Sequence, residues 1–185
     1  GLTDEEIPEE LIPKIDTALA EHGSSKVNLT EKEVDGFYYG FSNRTIWPLF
    51  HYFLEYSEFE LESWEIYKAV NQKFADAILE KADNEDTIWI HDYQLMLVPQ
   101  MVRAERPDIS IGFFLHIPFP SYEIFRTLPW RREVLLGLLG SDLIGFHTYD
   151  YERHFLSSVR RLLGLEVSFN DIYLEDRVIK VDSFP

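Results

Sequence analysis

The hydrophobic and polar positions of the chain alternate between short apolar runs and longer segments with helical periodicity. Residues 88–90, 109–115 and 143–146 are apolar runs rich in isoleucine, leucine and aromatic residues. Such continuous runs are typical of strands that are buried on both faces of a parallel sheet. Segments whose apolar residues recur every three or four positions separate these runs, and that spacing is typical of helices. The alternation therefore predicts an α/β fold with a mainly parallel sheet flanked by helices.

The predicted helices have recognisable boundaries. The clearest is residues 63–81, where apolar residues lie three or four positions apart and a polar turn follows. Thr148 is a typical N-cap for a long helix that ends near Leu163. Further helices are predicted over residues 95–105, 121–125 and 131–139, with two short helical pieces over residues 3–20. The remaining predicted strands are one at residues 26–29 and a hairpin or two short strands at residues 167–169 and 177–181.

An aromatic segment spans residues 35–53 and is interrupted by glycines and a proline. Aromatic side chains bury large apolar areas, so a cluster of this density is typical of a core. We therefore predict that most of the rings in this segment are buried. The rings concerned are those of Tyr38, Tyr39, Phe41, Trp47, Phe50, His51 and Tyr52.

Length and composition favour a single domain. The chain has 185 residues, of which 45% are apolar, and it can therefore bury one sizeable core. Its 33 acidic and 17 basic residues give a formal charge of -16, which disfavours binding to nucleic acid or to an anionic membrane. The absence of cysteine excludes disulfides and thiolate chemistry. No signal-peptide pattern and no apolar run of about 18 to 20 residues occurs, so we predict a cytoplasmic protein.

Titratable residues follow the predicted strands. His91 and Asp92 come directly after the first apolar run, and His116 comes after the second. Ligands of parallel sheets bind at the carboxyl ends of the strands, so this arrangement indicates a sugar or phosphate-ester site. An aspartate at the end of a buried strand is costly unless it is paired or used. A functional and a structural role are both open for His91, Asp92 and His116, whereas His147 and His154 are better explained as structural residues.

Two kinds of ligand site lack their usual sequence signals. No pair of histidines has the i, i+4 spacing of a helical metal site, so we predict no metal. No glycine-rich turn of the P-loop or G-x-G-x-x-G type occurs either. A phosphate group is therefore expected to be held by side chains, or by a loop that lies outside this chain.

Five short motifs surround the predicted strand ends and the aromatic segment. They are YYGFSN at residues 38–43, WPLFHY at 47–52, WIHDY at 89–93, FLHIPFP at 114–120 and GFHTYDY at 145–151. In this order they resemble the trehalose-6-phosphate synthase family, whose members are retaining GT-B glycosyltransferases with two Rossmann-like halves. The resemblance implies that residues 1–185 form a truncated, Rossmann-like amino-terminal domain on the acceptor side, with the carboxyl-terminal donor domain absent.

The resemblance also implies roles for individual residues. Tyr38 and Trp47 match the aromatic residues that contact the phosphate of glucose 6-phosphate, and Asp92 matches the acid that binds hydroxyls of the acceptor sugar. His116 matches the histidine that binds the donor glucose near the reacting centre, so Asp92 and His116 are the implied catalytic residues. Gln94 departs from the family, which commonly has a histidine there. No cofactor is implied.

The implied activity belongs to a longer enzyme. Such an enzyme transfers glucose from UDP-glucose to glucose 6-phosphate, and this chain alone is expected to be inactive. The alternative is a non-catalytic, synthase-like domain that serves regulation or assembly beside a trehalose phosphatase. A second copy of the chain and a phosphatase domain are the implied protein partners.

Overall fold

A six-stranded mixed sheet forms the centre of the computed structural model, which describes residues 7–83 and 85–185 apart from the side chain of Glu9. The strands are β1 (Thr87–His91), β2 (Ser110–Phe114), β3 (Leu143–Phe146), β4 (Glu166–Ser168), β5 (Asp171–Tyr173) and β6 (Val178–Ser183). The α-helices of the described part are α1 (Ile12–Glu21), α2 (Glu31–Val34), α3 (Trp47–Phe50), α4 (Leu61–Lys81), α5 (Val98–Glu105), α6 (Tyr122–Phe125), α7 (Arg131–Leu138) and α8 (Tyr149–Leu163). A π-helix occupies Asp35–Ile46, and 3-10 helices occupy Glu9–Leu11, Leu54–Tyr56 and Tyr93–Leu95.

The strand order of the sheet is β1-β2-β3-β6-β5-β4. The pairs β1–β2, β2–β3 and β3–β6 are parallel, whereas β6–β5 and β5–β4 are antiparallel. The prediction of an α/β fold with a mainly parallel sheet is therefore confirmed. The register pairs His91 with Phe114 and Phe114 with Gly145. The loops that follow β1, β2 and β3 consequently begin next to one another at one edge of the sheet.

The helices follow the predicted periodicity. The side chain of Thr148 accepts the backbone N–H of Tyr151 at 3.4 Å and caps the start of α8. At the other end, Gly164 is the C-cap. Gly164 has φ 73°, a left-handed conformation that favours glycine. The two helical pieces predicted for residues 3–20 correspond to the first 3-10 helix and α1, although residues 3–6 lie outside the described part. No helix in the described part is long and apolar enough to cross a membrane.

One strand prediction is wrong and another is incomplete. Residues 26–29 form no strand, because they pair with no other strand of the sheet. The two short strands predicted at residues 167–169 and 177–181 form as β4 and β6, but they do not pair as a hairpin, because the unpredicted β5 lies between them. Ile172 is the single buried residue of β5, so this strand has no hydrophobic run that reveals it in the sequence.

The aromatic segment also differs from its prediction, because most of its rings are not buried. Phe41 and Phe50 are fully buried, and His51 is half-buried. The rings that stay 42–52% exposed are those of Tyr38, Tyr39, Trp47 and Tyr52. In a π-helix each N–H bonds the carbonyl five residues earlier, so side chains recur on a wider turn than in an α-helix. The π-helix therefore buries a different set of positions from the one that aromatic density indicates.

The sheet has one covered face and one partly open face. Side chains alternate between the two faces of a strand. Those that are buried in the core on the covered face are Ile90, Ile111, Phe113, Ile144, Phe146, Ile179 and Val181. On the opposite face Trp89 is 49% exposed and Val178 is 46% exposed. The apolar runs of β2 and β3 are thus largely buried as predicted, but the prediction that β1 is buried on both faces is wrong.

Candidate active site at the carboxyl ends of the strands

Asp92 follows β1 in a backbone conformation that residues other than glycine rarely adopt, with φ 74° and ψ 169°. Its backbone N–H donates to the carbonyl of Phe114 at 2.8 Å. Its Oδ1 atom accepts the backbone N–H groups of Tyr93 at 3.0 Å and of His116 at 3.2 Å. No donor in the described part of the chain bonds Oδ2. The carboxylate is thus held through one oxygen and presents the other to a ligand.

Three histidines form a row at the same edge of the sheet. His91 is the last residue of β1, His116 and His147 come shortly after β2 and β3, and all three are exposed. The Nδ1 atom of His91 lies 2.9 Å from the Nε2 atom of His116, and the ring centroids of His116 and His147 lie 5.5 Å apart. The ring of Phe114 packs against both His116 and His147. This edge therefore presents imidazole groups around one apolar ring, next to the carboxylate of Asp92.

The surroundings of His91 disfavour its charged form. Partial burial, followed by the neighbouring His116 ring, lowers the pKa of His91, although the carboxylate of Asp92 acts in the opposite direction. A neutral imidazole has one N–H donor and one bare acceptor nitrogen. Near neutral pH, His91 is therefore a hydrogen-bonding group rather than a cation.

The aromatic wall of the site, which we define as Tyr38, Trp47 and Tyr93, includes residues of the π-helix and α3. Tyr93 is buried, and its hydroxyl donates to Oδ1 of Asn43 at 3.0 Å. The ring of Trp47 lies 5.6 Å from the ring of Tyr93. Burial, and then the neighbouring Asp92 and Tyr38, raise the pKa of Tyr93 to about 12, so its hydroxyl stays protonated. Tyr93 thus connects the aromatic wall to Asp92.

Tyr38 and Trp47 present their polar edges to solvent. The two side chains are 42% and 44% exposed. The Nδ1 atom of His51 lies 2.7 Å from the carbonyl oxygen of Trp47, and the two rings pack with centroids 4.2 Å apart. This packing orients the indole, while its N–H and the hydroxyl of Tyr38 have no acceptor in the described part. Both groups are donors that bind anionic oxygens without adding charge.

The structure joins three of the four residues predicted for the site by direct contacts. Asp92 bonds the backbone of His116, and Tyr93, whose backbone N–H bonds Asp92, packs beside Trp47. Tyr38 lies close enough to Tyr93 to affect its pKa. Their individual roles in binding stay predictions.

Two further residues of the site carry no role in the sequence-based prediction. Tyr93 and Asn43 lie inside the motifs at residues 89–93 and 38–43, but their contact joins positions 50 residues apart. No local spacing reveals such a pair. Their membership of two motifs that resemble one family is the signal that marks them.

The other histidines differ in their environment. His154 is half-buried, and its Nδ1 atom lies 3.1 Å from the carbonyl oxygen of Phe119, which supports the structural role predicted for it. His147 lies in the exposed histidine row, and its structural role stays a prediction. Among residues 7–83 and 85–185, no group of three or more histidine or acidic side chains is placed to hold a metal ion.

The chain resembles trehalose-phosphate synthases in sequence over nearly its whole length. The alpha,alpha-trehalose-phosphate synthase [UDP-forming] 1 of Aspergillus fumigatus is 49% identical over 185 residues, which cover 97% of this chain and 36% of that protein. The chain therefore spans about a third of the length of this relative.

Solved structures show the same Rossmann-like fold. The trehalose-6-phosphate phosphatase N-terminal domain of Candida albicans is 37% identical, with a TM-score of 0.86 over 96% of this chain and 39% of that chain. An alpha,alpha-trehalose-phosphate synthase (UDP-forming) from Burkholderia xenovorans in complex with glucose-6-phosphate is 32% identical, with a TM-score of 0.80 over 85% of this chain and 35% of that chain. The profile of Glycosyltransferase family 20 matches residues 2–185. With a match over almost all its residues and with this fold, the chain belongs to glycosyltransferase family 20.

Proposed function

We propose that this chain forms the acceptor-binding wall of a UDP-forming α,α-trehalose-phosphate synthase, a longer protein that transfers glucose from UDP-glucose to glucose 6-phosphate. The observation that carries the proposal is the state of the Asp92 carboxylate. One oxygen is held by two backbone N–H groups, and the other has no donor in the described part of the chain. A carboxylate in this state accepts sugar hydroxyls, and the exposed donors of Tyr38 and Trp47 belong to the aromatic wall beside it.

The acceptor phosphate binds the aromatic wall in this proposal. The hydroxyl of Tyr38 and the indole N–H of Trp47 donate to phosphate oxygens, in hydrogen bonds to a charged group worth about 1.5 to 3 kcal/mol each. The carboxylate of Asp92 repels the phosphate and attracts the sugar hydroxyls. Glucose 6-phosphate is therefore held in one orientation, with its phosphate toward the two rings and its sugar toward Asp92.

The donor glucose contacts His116 in this proposal. In a retaining transfer with front-face attack, the bond from the anomeric carbon to the UDP phosphate breaks as the bond to the acceptor oxygen forms. The departing phosphate oxygen takes the proton of the attacking hydroxyl, so no protein base is required. The residues of this chain then act by holding the two sugars in reacting geometry and by stabilising charge.

The test of the proposal is a coupled assay of UDP release by the longer protein that contains this chain. Release that requires both UDP-glucose and glucose 6-phosphate supports it. Glucose without the phosphate is the control acceptor, because it lacks the group that Tyr38 and Trp47 bind. Equal rates with glucose and glucose 6-phosphate contradict the acceptor assignment.

A second candidate function is a non-catalytic, synthase-like domain beside a trehalose phosphatase. It is favoured by the high similarity to the N-terminal domain of the phosphatase from Candida albicans. The same assay separates the two candidates, provided that circular dichroism shows a folded protein. A folded longer protein that binds glucose 6-phosphate but releases no UDP supports the non-catalytic function.

The proposal also covers domain organisation and location. Residues 1–185 form part of an acceptor-side domain, and the remainder of the longer protein supplies the groups that bind the donor diphosphate. The protein acts in the cytoplasm, which fractionation of cells that make it tests. The net charge of -16 supports the exclusion of nucleic acid as a partner.

A further inference from the structure

His91 and His116 meet through their ring nitrogens. The Nδ1 atom of His91 lies 2.9 Å from the Nε2 atom of His116, a distance typical of a hydrogen bond. Such a bond requires one protonated nitrogen and one bare nitrogen, so the two facing atoms share a single proton. No other polar atom in the described part of the chain bonds the His116 ring. Because His91 occupies Nε2, the Nδ1 edge of the His116 ring is the one available to a ligand.

The surroundings restrain the rest of His116. Its backbone N–H is held by Oδ1 of Asp92 at 3.2 Å, so the start of the side chain is fixed. The ring of Phe114 packs against the imidazole with centroids 4.8 Å apart, and the ring of His147 lies 5.5 Å away. These ring contacts limit tilting, but they do not distinguish the two nitrogens. In the described part of the chain that distinction comes from His91, which engages Nε2 and leaves Nδ1 of His116 free.

The position of His91 follows from the sheet. His91 is the last residue of β1, and its register partner in β2 is Phe114, two positions before His116. Side chains two positions apart lie on the same face of an extended chain, so His91, Phe114 and His116 meet at the open face of the sheet. The contact between the two histidines is thus built by the strand register rather than by a flexible loop.

We propose that His91 is a positioning residue for His116: its Nδ1 atom engages Nε2 of His116, couples the protonation of the two facing nitrogens and turns the Nδ1 edge of His116 toward the donor sugar. The proposal deepens and rests on the proposed function, because His116 is the residue that contacts the donor there. His91 itself need not touch the substrate.

The test uses histidine labelled with nitrogen-15 and long-range proton–nitrogen correlation spectra of the unliganded chain. The spectra are recorded at about pH 8, above the ordinary histidine pKa of roughly 6.5. In the wild-type chain, the proton shared by Nδ1 of His91 and Nε2 of His116 gives a resolved ring N–H signal, because the hydrogen bond slows its exchange with water. In His91→Phe, which keeps a ring but removes both nitrogens, this signal disappears.

Two further variants make the test specific. His91→Asn restores the signal, because the asparagine amide places an oxygen and a nitrogen near the position of Nδ1 and can bond Nε2 of His116 in either tautomer. His147→Phe keeps the signal, because His147 contacts His116 through its ring alone. Circular dichroism of each variant confirms that the fold is kept, which is expected because His91 and His147 are exposed.

The outcomes separate this inference from the proposed function. An unchanged His116 spectrum in His91→Phe, or no restoration in His91→Asn, overturns the positioning role whatever the longer protein catalyses. Where the spectrum changes as expected, glucosyl transfer by the longer protein should fall roughly 2- to 10-fold in His91→Phe and recover in His91→Asn, the loss expected for one neutral hydrogen bond. Loss of the shared-proton signal in His91→Phe, in a protein without any transferase activity, keeps the positioning role and overturns the proposed function instead.

Discussion

The carboxylate of Asp92 accepts the backbone N–H of His116 at 3.2 Å and thereby joins the chain after β1 to the chain after β2. The backbone of Asp92 adopts a conformation that costs a non-glycine residue on the order of 1 to 3 kcal/mol. The bonds from Tyr93 and His116 to Oδ1, and from its own N–H to Phe114, offset this cost. An aspartate is therefore held at this position with its second oxygen directed away from protein donors.

Asp92→Asn is the most informative change at this position. The amide oxygen still accepts the two backbone N–H groups, but an NH₂ group replaces the free oxygen that is proposed to bind the acceptor. We expect a folded longer protein whose kcat/KM for glucosyl transfer falls roughly 10²- to 10³-fold, as for a lost charged hydrogen bond. Asp92→Ala should show the same loss of transfer together with a lower midpoint of thermal unfolding. Near-wild-type turnover in Asp92→Asn removes the carboxylate from the acceptor site.

His116→Ala tests the donor contact. The side chain is exposed, so its loss should hardly change the free energy of unfolding, while kcat should fall roughly 10²- to 10³-fold. His154→Ala is the matched control, because His154 bonds a backbone carbonyl away from the site. That variant should lose about 1 kcal/mol of stability and keep its turnover per folded molecule. Steady-state kinetics and denaturant unfolding of both variants decide between the roles.

Glu152 gives a prediction about stability and pH. It lies in the first turn of α8, is 1% exposed, and has no hydrogen-bond partner for either carboxylate oxygen in the described part. Burial raises the pKa of Glu152 above its ordinary value of 4.5, and the nearby Asp182 acts in the same direction, whereas the hydroxyl of Ser183, near the carboxylate but outside hydrogen-bond geometry, acts in the opposite one. Because the folded state binds this proton more tightly than the unfolded state, stability falls as the pH rises through the raised pKa.

Glu152→Gln should therefore stabilise the chain at pH 7, by on the order of 1 kcal/mol, since it removes a buried unpaired charge. The gain should shrink as the pH approaches the unfolded pKa of about 4.3, where the wild-type carboxyl is also neutral. Glu123→Gln is the control, because Glu123 is exposed and pairs with arginines on the surface. Urea unfolding at a series of pH values measures both variants. A loss of stability in Glu152→Gln at pH 7 shows that the carboxylate has a valuable partner.

Local sequence rules predict an element correctly here where the local signals agree or where one signal is clear. The helical spacing of residues 149–163 and the cap at Thr148 agree, and α8 forms with those limits. The apolar runs that become β2 and β3 are equally direct. β5 could not be predicted in this way, because Ile172 is its single buried residue and pairing with β4 and β6 determines the strand. A strand of three residues is too short to show a periodic pattern.

Tyr38 and Trp47, two of the four predicted site residues, could not be assigned to one site from their separation in the sequence. Nine positions separate them, which is two and a half turns of an α-helix at about 3.6 residues per turn, so an α-helix would place them on opposite sides. The π-helix takes between four and five residues per turn, and nine positions make about two turns. Both side chains therefore lie on the same side of the segment, where Trp47 packs beside Tyr93. The motifs identify Tyr38 and Trp47 as residues of one site, whereas α-helical periodicity would place them on opposite sides of a helix.

We predict that the chain associates with itself through the uncovered edge strand β1. β1 lies at an edge of the sheet, carries neither lysine nor proline, and exposes 49% of Trp89. Such an edge pairs readily with other strands. Trp89→Lys should lower the weight-average sedimentation coefficient at a given concentration, whereas Tyr56→Lys, at a residue that is 70% exposed outside the sheet, should not. Equal behaviour of the two variants shows that β1 is not the contact.

The last prediction concerns the chain of 185 residues by itself, which should bind UDP-glucose weakly. The group formed by Tyr38, Trp47, Asp92, His91 and His116 includes no lysine or arginine, although a diphosphate requires charge-assisted bonds. The lack of several such bonds, at about 1.5 to 3 kcal/mol each, changes a micromolar dissociation constant to one beyond millimolar. Glucose 6-phosphate should bind measurably better, because the aromatic donors and the free oxygen of Asp92 are all within this chain.

Calorimetric titration of the chain with each ligand measures the difference, and Trp47→Phe is the matched variant. It keeps an aromatic ring beside His51 and Tyr93 but lacks the indole N–H. Its affinity for glucose 6-phosphate should fall by roughly the value of one hydrogen bond to a charged group, about 10-fold or more. Micromolar binding of UDP-glucose by the wild-type chain shows that the donor site is complete within these residues. In that case the division of the two substrates between this chain and the rest of the longer protein is wrong.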